Sequence, residues 1–316
     1  MKPLFTLFLL FSFFSISCPA QLKQDEPSQD IENSLLWKIS GNGLQHDSYL
    51  LGTMHSIEHS FLLSIPGFRK AFHTAKQIAV ESDYFAFDSS IRKTSSQTPR
   101  NYVFMPKDSI YEMLYNYNDF QFVDSTLKTF SPNYSKYEPI FWQRRLVDMW
   151  QFRKLPDIQQ GMDRHILLLG YQNNKKIYFM ESLEDIGQKC IRLDSLNYSS
   201  DLHYQANILL YTLKNKELTC SSFDTMENNY RKQELTLLSL KERLYKYTNT
   251  PDNILDILKQ TESLLIDTRN EEWMKNLLPM IHKDSSLIAV GAMHLIGEQG
   301  LITKLKKLGY IVEPVK

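Results

Sequence analysis

SYLLGTMH, residues 48–55, and LIAVGAMH, residues 287–294, follow the same plan. In each segment a short apolar run predicts a buried strand, and a glycine ends that strand shortly before a histidine. A helix is predicted after each motif, and a second strand after each helix, ending in Val80-Glu81 in one case and in Val312-Glu313 in the other. The order strand, Gly-x-x-His, helix, strand therefore occurs at both ends of the chain.

This repeated order predicts a mixed α/β (α+β) fold with a pseudo-symmetric central sheet. A strand–helix–strand connection of this length favours parallel, right-handed pairing of its two strands. Two such units would share one sheet as pseudo-symmetric halves. Each histidine would then lie just beyond the carboxyl end of its strand, where open α/β sheets bind their ligands.

The middle of the chain, about residues 106–280, has a mainly helical pattern. Spaced leucines among many Glu and Lys residues, from about 201 to 278, predict amphipathic helices. The exception is KKIYFME, residues 175–181, which predicts another strand. We expect the middle region to cover the sheet. Because it has few Gly or Pro residues and no evident linker, we predict a single domain over residues 34–316.

Residues 1–20 have the pattern of a secretory signal peptide, with a basic start, a short apolar run and small residues near a possible cleavage site. Cleavage after Ala20 would release a soluble chain. In an alternative interpretation, Cys18 ends a lipobox and carries a lipid anchor. Residues 21–33 predict a flexible polar leader. We therefore expect an exported protein, periplasmic or extracellular, that meets a membrane only if Cys18 is lipidated.

The charge balance disfavours a nucleic acid as partner. Lys plus Arg and Asp plus Glu both total 36, so the chain has no net charge to attract a polyanion. The 42% of hydrophobic residues is enough for a sizeable core and argues against disorder.

Two cysteines, Cys190 and Cys220, remain beyond the predicted leader. An oxidising compartment would permit a disulfide between them. Two separate buried thiols are an equal alternative, because spacing in the sequence does not establish bridging geometry.

The two motifs also predict a shared site. Two neutral imidazoles brought together at a sheet edge can bind a divalent transition metal, and a carboxylate can complete the ligand set. Glu81 ends a strand, so its carboxylate could emerge beside His55 as a ligand or as a base. A single Gly-x-x-His arises by chance, and its histidine usually bonds a neighbouring turn. Two copies in equivalent places favour a metal site that contains both His55 and His294.

Further motifs stand in the order seen in the TraB/GumN family, which the chain resembles over roughly residues 33–316. Besides both Gly-x-x-His motifs, they are Gly161-Met162-Asp163, Met180-Glu181-Ser182, Arg269-Asn270-Glu271-Glu272-Trp273 and Gly309-Tyr310-Ile311-Val312-Glu313. That family is similar to the Tiki metalloproteases. The resemblance implies a site made of the two motif histidines, a glutamate and an arginine.

In this chain, the resemblance implies His55, His294 and Glu81 as metal ligands, and Glu81 and Arg269 as catalytic residues. Arg269 would bring a fixed positive charge to a developing oxyanion. Asp163 has two interpretations: a partner that orients a metal-binding histidine, or the N-cap of a helix. Glu181 is similarly open, since it ends a strand and could either belong to the site or cap the next element of the chain.

The segment His55-Ser56-Ile57-Glu58-His59 also fits His-x-x-Glu-His, the inverted zincin motif, in which one helix presents both histidines. Here a strand and a glycine precede His55, and Pro66 follows soon after. A long helix centred on His55 is therefore not expected, and we interpret His59 as an exposed loop residue near the mouth of the site.

These features predict an exported metal-dependent hydrolase, with a peptidase as the first hypothesis. A Mn, Co or Zn ion would activate water and polarise the scissile carbonyl of a peptide or protein substrate. The resemblance also implies two alternatives: a non-catalytic protein that binds a peptide signal, as in pheromone shutdown, and a haem- or metal-binding module. The intact set of four site residues favours catalysis, because binding alone would not require all of them.

Overall fold

The computed structural model describes residues 32–86, 104–155, 157, 160–197, 199–235 and 259–316. Its strands form one sheet and are, in chain order, β1 (Leu36–Ser40), β2 (Ser48–Thr53), β3 (Gln77–Val80), β4 (Lys176–Phe179), β5 (Ser286–Gly291) and β6 (Ile311–Pro314). Across the sheet the order is β4-β3-β5-β2-β1-β6.

The centre of the sheet is the parallel pair of β2 and β5. Every residue of these two strands is buried, which agrees with their continuous apolar runs, because central parallel strands are covered on both faces. β3 pairs in parallel with β5 and with β4. β1 pairs antiparallel with β2 and with β6. The sheet is therefore parallel around β5 and antiparallel around β1.

The mixed α/β fold and the strand within residues 175–181 are confirmed, but the predicted pairing within each repeated unit is wrong. β5 lies between β2 and β3, and both β2 and β1 lie between β5 and β6. The strands of the two units are therefore interleaved in the sheet. The connection from β2 to β3 passes over one strand, and the connection from β5 to β6 passes over two. The physical reason is that direct pairing of β2 with β5 buries the two apolar motif strands against each other at the centre of the sheet.

The helices are α1 (Phe68–Thr74), α2 (Tyr117–Lys128), α3 (Pro139–Gln151), α4 (Met162–Gln172), α5 (Leu183–Asn197), α6 (Leu202–Lys214), α7 (Lys216–Arg231), α8 (Thr268–Lys283) and α9 (Leu301–Lys307). A 3-10 turn, Ala292–His294, carries the second motif, and a π-helical turn, Ser263–Asp267, leads into α8. The described part of residues 106–280 is mainly helical, as predicted.

The chain divides into two compact units. One contains the described residues of 85–153 and 194–223, which are mainly helical, with an aromatic core in which the rings of Tyr111 and Tyr134 meet edge to face at 5.0 Å between centroids. The other contains the described residues of 32–84, 154–193 and 224–316, and with them all six strands of the sheet. The domain limits 34–316 and a helical cover over the sheet remain predictions.

Within the second unit, α4 packs closely on the sheet. A Cβ on Gly170 would lie 2.6 Å from Cδ1 of Ile177 on β4 and 3.1 Å from Cδ1 of Ile78 on β3. The absence of a side chain at Gly170 therefore allows this close approach, because a Cβ there would have to displace both isoleucine side chains. This close contact fixes the position of α4, whose first turn carries Asp163.

Four sequence predictions concern the N-terminal region and the cysteines: the signal peptide, the lipid anchor, the leader and the possible disulfide. The signal peptide at 1–20 and the possible anchor Cys18 lie outside the described residues, as does nearly all of the leader at 21–33. In the described part of the chain, no helix is long and apolar enough to span a membrane. Cys190 and Cys220 are not joined by a disulfide, and both are half-buried, so the structure agrees with separate thiols but not with buried ones.

Candidate active site

The two Gly-x-x-His motifs meet at the carboxyl ends of β2 and β5. A Cβ on Gly52 would lie 3.0 Å from Cα of Ala292 in the other motif, and a Cβ on Gly291 would lie 3.3 Å from Oε1 of Glu81. Neither glycine has a positive φ, so a left-handed turn does not explain its presence. Instead they allow close approach, because a side chain would separate the two motifs or displace the glutamate.

His55 lies in the turn after β2, where Asp163 holds it. Nδ1 of His55 donates to Oδ2 of Asp163 at 2.8 Å, and the hydroxyl of Thr53 donates to Oδ1 of the same carboxylate. The N-cap of α4 is Gly161, and no side chain caps this helix. The structure therefore places Asp163 as the partner of His55 and not as an N-cap.

His294 is buried at the end of its 3-10 turn, where Asn270 of α8 holds it. Nδ1 of His294 is 2.7 Å from Oδ1 of Asn270, whose Nδ2 donates to the backbone oxygens of His294 and Gln299. Because the amide nitrogen serves two carbonyls, the amide oxygen must accept, and Nδ1 of His294 carries the proton. Nε2 of His294 then accepts a hydrogen bond from Nη1 of Arg269 at 3.2 Å.

Arg269 is the centre of a buried charged cluster. Its Nη2 donates to Oε2 of Glu81 at 2.6 Å and to Oε1 of Glu181. Its Nη1 also donates to the carbonyl of Leu265 in the π-helical turn, at 3.3 Å, and the guanidinium lies over the Trp273 ring at 4.6 Å. The guanidinium is thus fixed by contacts on several sides.

The two glutamates follow neighbouring strands, and both oxygens of each carboxylate accept hydrogen bonds. Glu81 follows β3, and its Oε1 accepts from the backbone N–H of Gly291 at 2.7 Å. Glu181 follows β4, and its Oε2 accepts from Nζ of Lys189 at 3.0 Å. Lys189 also contacts the carboxylate of Glu272 at 2.8 Å. Glu181, which the sequence left open, therefore belongs to the cluster.

The cluster moves the pKa values of the two histidines in opposite directions. Burial alone would lower the pKa of His55, but the charge of Asp163 and the hydrogen bond to it raise this pKa to about 9. Burial and the charge of Arg269 lower the pKa of His294 to about 3. Burial alone would raise the pKa of Glu81, but Arg269 and the histidines lower it to about 2. At neutral pH the metal-free site therefore contains a charged His55, a neutral His294 and an ionised Glu81.

The donor chemistry of the site fits a divalent metal. Both imidazoles have Nδ1 held by a side chain, which is typical of histidines that ligate through Nε2. A glutamate beside two histidines is a common ligand set for zinc. In the described residues, however, no three His, Cys, Asp or Glu side chains are grouped to hold an ion. Arg269 contacts both Nε2 of His294 and Oε2 of Glu81, so metal binding at His294 requires the guanidinium to move.

The predicted site residues all lie in the unit that contains the sheet, and charge interactions link them: His55, Glu81, Asp163, Arg269 and His294. Sequence reasoning missed two members of the cluster. Asn270 could have been found, because it stands next to Arg269 in a family-like motif. Lys189 gave no signal, because its contact with Glu181 depends on how α5 packs.

The structure excludes the inverted zincin interpretation. His55 lies in a turn, and no helix runs through residues 55–59. Glu58 pairs with Arg231, with Nη2 to Oε2 at 2.6 Å. His59 was expected to be an exposed loop residue. It is instead half-buried, because its ring stacks on that of His165 at 4.1 Å between centroids.

The fold and the site define a mixed α/β protein with a buried histidine–carboxylate–arginine centre. The model of the TraB/PrgY/gumN family matches residues 35–314, a range that contains both motifs and the whole cluster. The chain therefore belongs to the TraB/PrgY/gumN family. No curated protein and no solved structure matches it.

Proposed function

We propose that the chain is an exported metal-dependent hydrolase that acts on a peptide or protein. The observation that carries the proposal is the anchoring of both motif histidines, with Asp163 at Nδ1 of His55 and Asn270 at Nδ1 of His294. Such partners fix the tautomer and direct Nε2 toward a metal. Two rings that are each held through Nδ1, at the carboxyl ends of neighbouring strands, favour a common ligand.

In this proposal His55, His294 and Glu81 bind a Mn, Co or Zn ion, which supplies Lewis acidity that polarises a carbonyl and makes water a nucleophile at neutral pH. Arg269 is buried and permanently charged, so it stabilises negative charge on the carbonyl oxygen of the substrate. Asp163 and Asn270 are positioning residues that act through the histidines. Burial of the cluster excludes bulk water, which strengthens each of these interactions.

The remaining parts of the proposal rest on the sequence. Export rests on the signal-like pattern of residues 1–20, and a peptide substrate rests on the resemblance to metalloproteases.

The contact between Arg269 and His294 favours a second candidate, a protein that binds a peptide without cleaving it. The carboxylates of Glu81, Glu181 and Asp163 already face positive partners in Arg269, Lys189 and His55. A cluster whose charges balance in this way needs no ion for its stability.

Elemental analysis and a cleavage assay separate the two candidates. We expect the wild type to bind about one ion per chain and to cleave a fluorogenic peptide mixture. EDTA should abolish this activity, and added Mn, Co or Zn should restore it. His55→Ala and His294→Ala should each lose the metal with the far-UV circular dichroism unchanged.

The matched control is His73→Ala, which removes an exposed histidine of α1 and should keep the metal. If both motif variants retain full metal, the ligand assignment is wrong. A wild type that binds metal but cleaves no peptide would favour the second candidate.

A further inference from the structure

The hydroxyl of Tyr84 is buried beside the site without a hydrogen-bond partner. Tyr84 lies shortly after Glu81 in the chain, and only 2% of Tyr84 is exposed. Among the described residues, no group bonds its Oη. Buried polar groups in native proteins almost always have a partner, so an unpaired hydroxyl in a charged site calls for an explanation.

Each carboxylate oxygen near Tyr84 accepts a hydrogen bond from another donor. The carboxylates whose charges reach its hydroxyl belong to Asp163, Glu81 and Glu181. Each carboxylate has both oxygens engaged by other donors, which are Thr53 and His55 for Asp163, Gly291 and Arg269 for Glu81, and Arg269 and Lys189 for Glu181. Among the described residues none of these oxygens bonds the Tyr84 hydroxyl, which keeps its proton for another acceptor.

A second buried donor in the same cluster has no partner either. The ring of Trp273 lies 4.3 Å from that of His294 and under the guanidinium of Arg269. Its Nε1 is buried and bonds nothing in the described part of the chain. An indole N–H can only donate, and a protonated phenol is likewise available as a donor. Two buried donors of this cluster therefore lack an acceptor among the described residues.

We propose that Tyr84 is a further catalytic residue, whose hydroxyl donates a hydrogen bond to the substrate carbonyl oxygen as that oxygen becomes negative. This role rests on the proposed hydrolase function. Tyr84 keeps its proton throughout, and no bond to it forms or breaks. A fixed neutral donor complements the charge of Arg269, because preorganised donors stabilise a developing oxyanion without reorganisation. Burial and the neighbouring carboxylates raise the pKa of Tyr84, which keeps it a donor.

The first measurement is the thermal stability of the full chain without substrate. Tyr84→Phe keeps the ring and should have a Tm equal to or above that of the wild type, because it removes a buried unpaired hydroxyl. The matched control is Tyr111→Phe, since the buried Tyr111 donates to the carbonyl of Tyr137 at 2.9 Å. The control should lose about 2–4 °C and keep its activity. An equal loss in Tyr84→Phe would show a structural partner and overturn the proposal.

The second measurement is turnover of the fluorogenic peptide mixture at matched metal occupancy. We expect kcat of Tyr84→Phe to fall about 10²-fold, with little change in KM or metal content. If the wild type is active and Tyr84→Phe is equally active, the proposed role of Tyr84 is wrong, but the proposed hydrolase function is not affected. A wild type that binds metal and cleaves nothing overturns the proposed function, and the role of Tyr84 with it.

Discussion

The two Gly-x-x-His motifs end neighbouring strands of one sheet, yet the environments of their histidines differ. The side chain of His55 is 19% exposed and faces the carboxylate of Asp163. His294 is only 2% exposed and lies between the amide of Asn270 and the guanidinium of Arg269. As a result, the pKa of His55 is raised to about 9 and that of His294 is lowered to about 3.

This difference shows that the Gly-x-x-His motif and the residues around it determine different properties of each histidine. The motif determines where each histidine lies, because its glycine lets the two strand ends approach. The protonation state depends on α4, which brings a carboxylate to the first motif, and on α8, which brings an amide and a guanidinium to the second. Both helices are distant in sequence from the strands that they serve.

Replacing Arg269 should have the largest effect on the difference between the two histidines. Arg269 donates directly to His294, whereas His55 is held by Asp163. Arg269→Ala leaves Glu81 and Glu181 buried without their main counter-charge. We expect a loss of about 3–5 kcal/mol in the free energy of unfolding, measured by urea denaturation. We also expect turnover to fall about 10²–10³-fold at matched metal occupancy.

Arg269→Lys is the control for charge alone. It keeps the positive charge and should recover part of the stability, but it lacks the planar fork and should not recover turnover. If Arg269→Ala unfolds at the same urea concentration as the wild type, the buried cluster does not depend on this residue. Unchanged turnover in that variant would remove Arg269 from the proposed mechanism.

The sequence predicted the local parts of the fold well and the tertiary arrangement less well. The strands of both motifs and the strand within residues 175–181 have apolar patterns that are readable without context. The insertion of β5 between β2 and β3 is not readable, because it depends on which strands bury each other best. Prediction of the site is limited in the same way. His55, Glu81 and His294 end or follow strands, so their positions are readable from the sequence. Lys189 lies on a helix, and the residue that it contacts depends on how that helix packs.

The pH dependence of stability should distinguish the two histidines in metal-free protein. The folded pKa of His55, about 9, exceeds the ordinary value of 6.5, so its contribution is complete below pH 6.5 and is lost as the pH rises through 9. The folded pKa of His294, about 3, lies below 6.5, so its contribution is complete above pH 6.5 and is lost as the pH falls. Each contribution should be on the order of 1–3 kcal/mol.

Urea denaturation of EDTA-treated protein at a series of pH values tests the direction of both effects on stability. His55→Gln should flatten the loss of stability between pH 6.5 and 9. His294→Gln should flatten the loss below pH 6.5, best measured above pH 4.5, where Glu81 stays ionised in both states. Asn270→Asp places a carboxylate at Nδ1 of His294 and should move its titration toward that of His55. If His55→Gln and His294→Gln have the same dependence of stability on pH, the two histidines do not differ in pKa in the way described.

The smallest effect is expected at Glu58, close to the first motif. Glu58 and Arg231 form two hydrogen bonds, at 2.6 and 3.0 Å, a geometry as good as that of Arg269 with Glu81. Their side chains are 39% and 37% exposed, however, against 7% and 4% for Glu81 and Arg269. Water and salt screen the exposed pair, so Glu58→Gln should cost only about 0–1 kcal/mol, and less at high salt. Urea denaturation at low and high salt measures this cost. A loss as large as that of Arg269→Ala would mean that contact geometry, and not burial, sets the strength of both pairs.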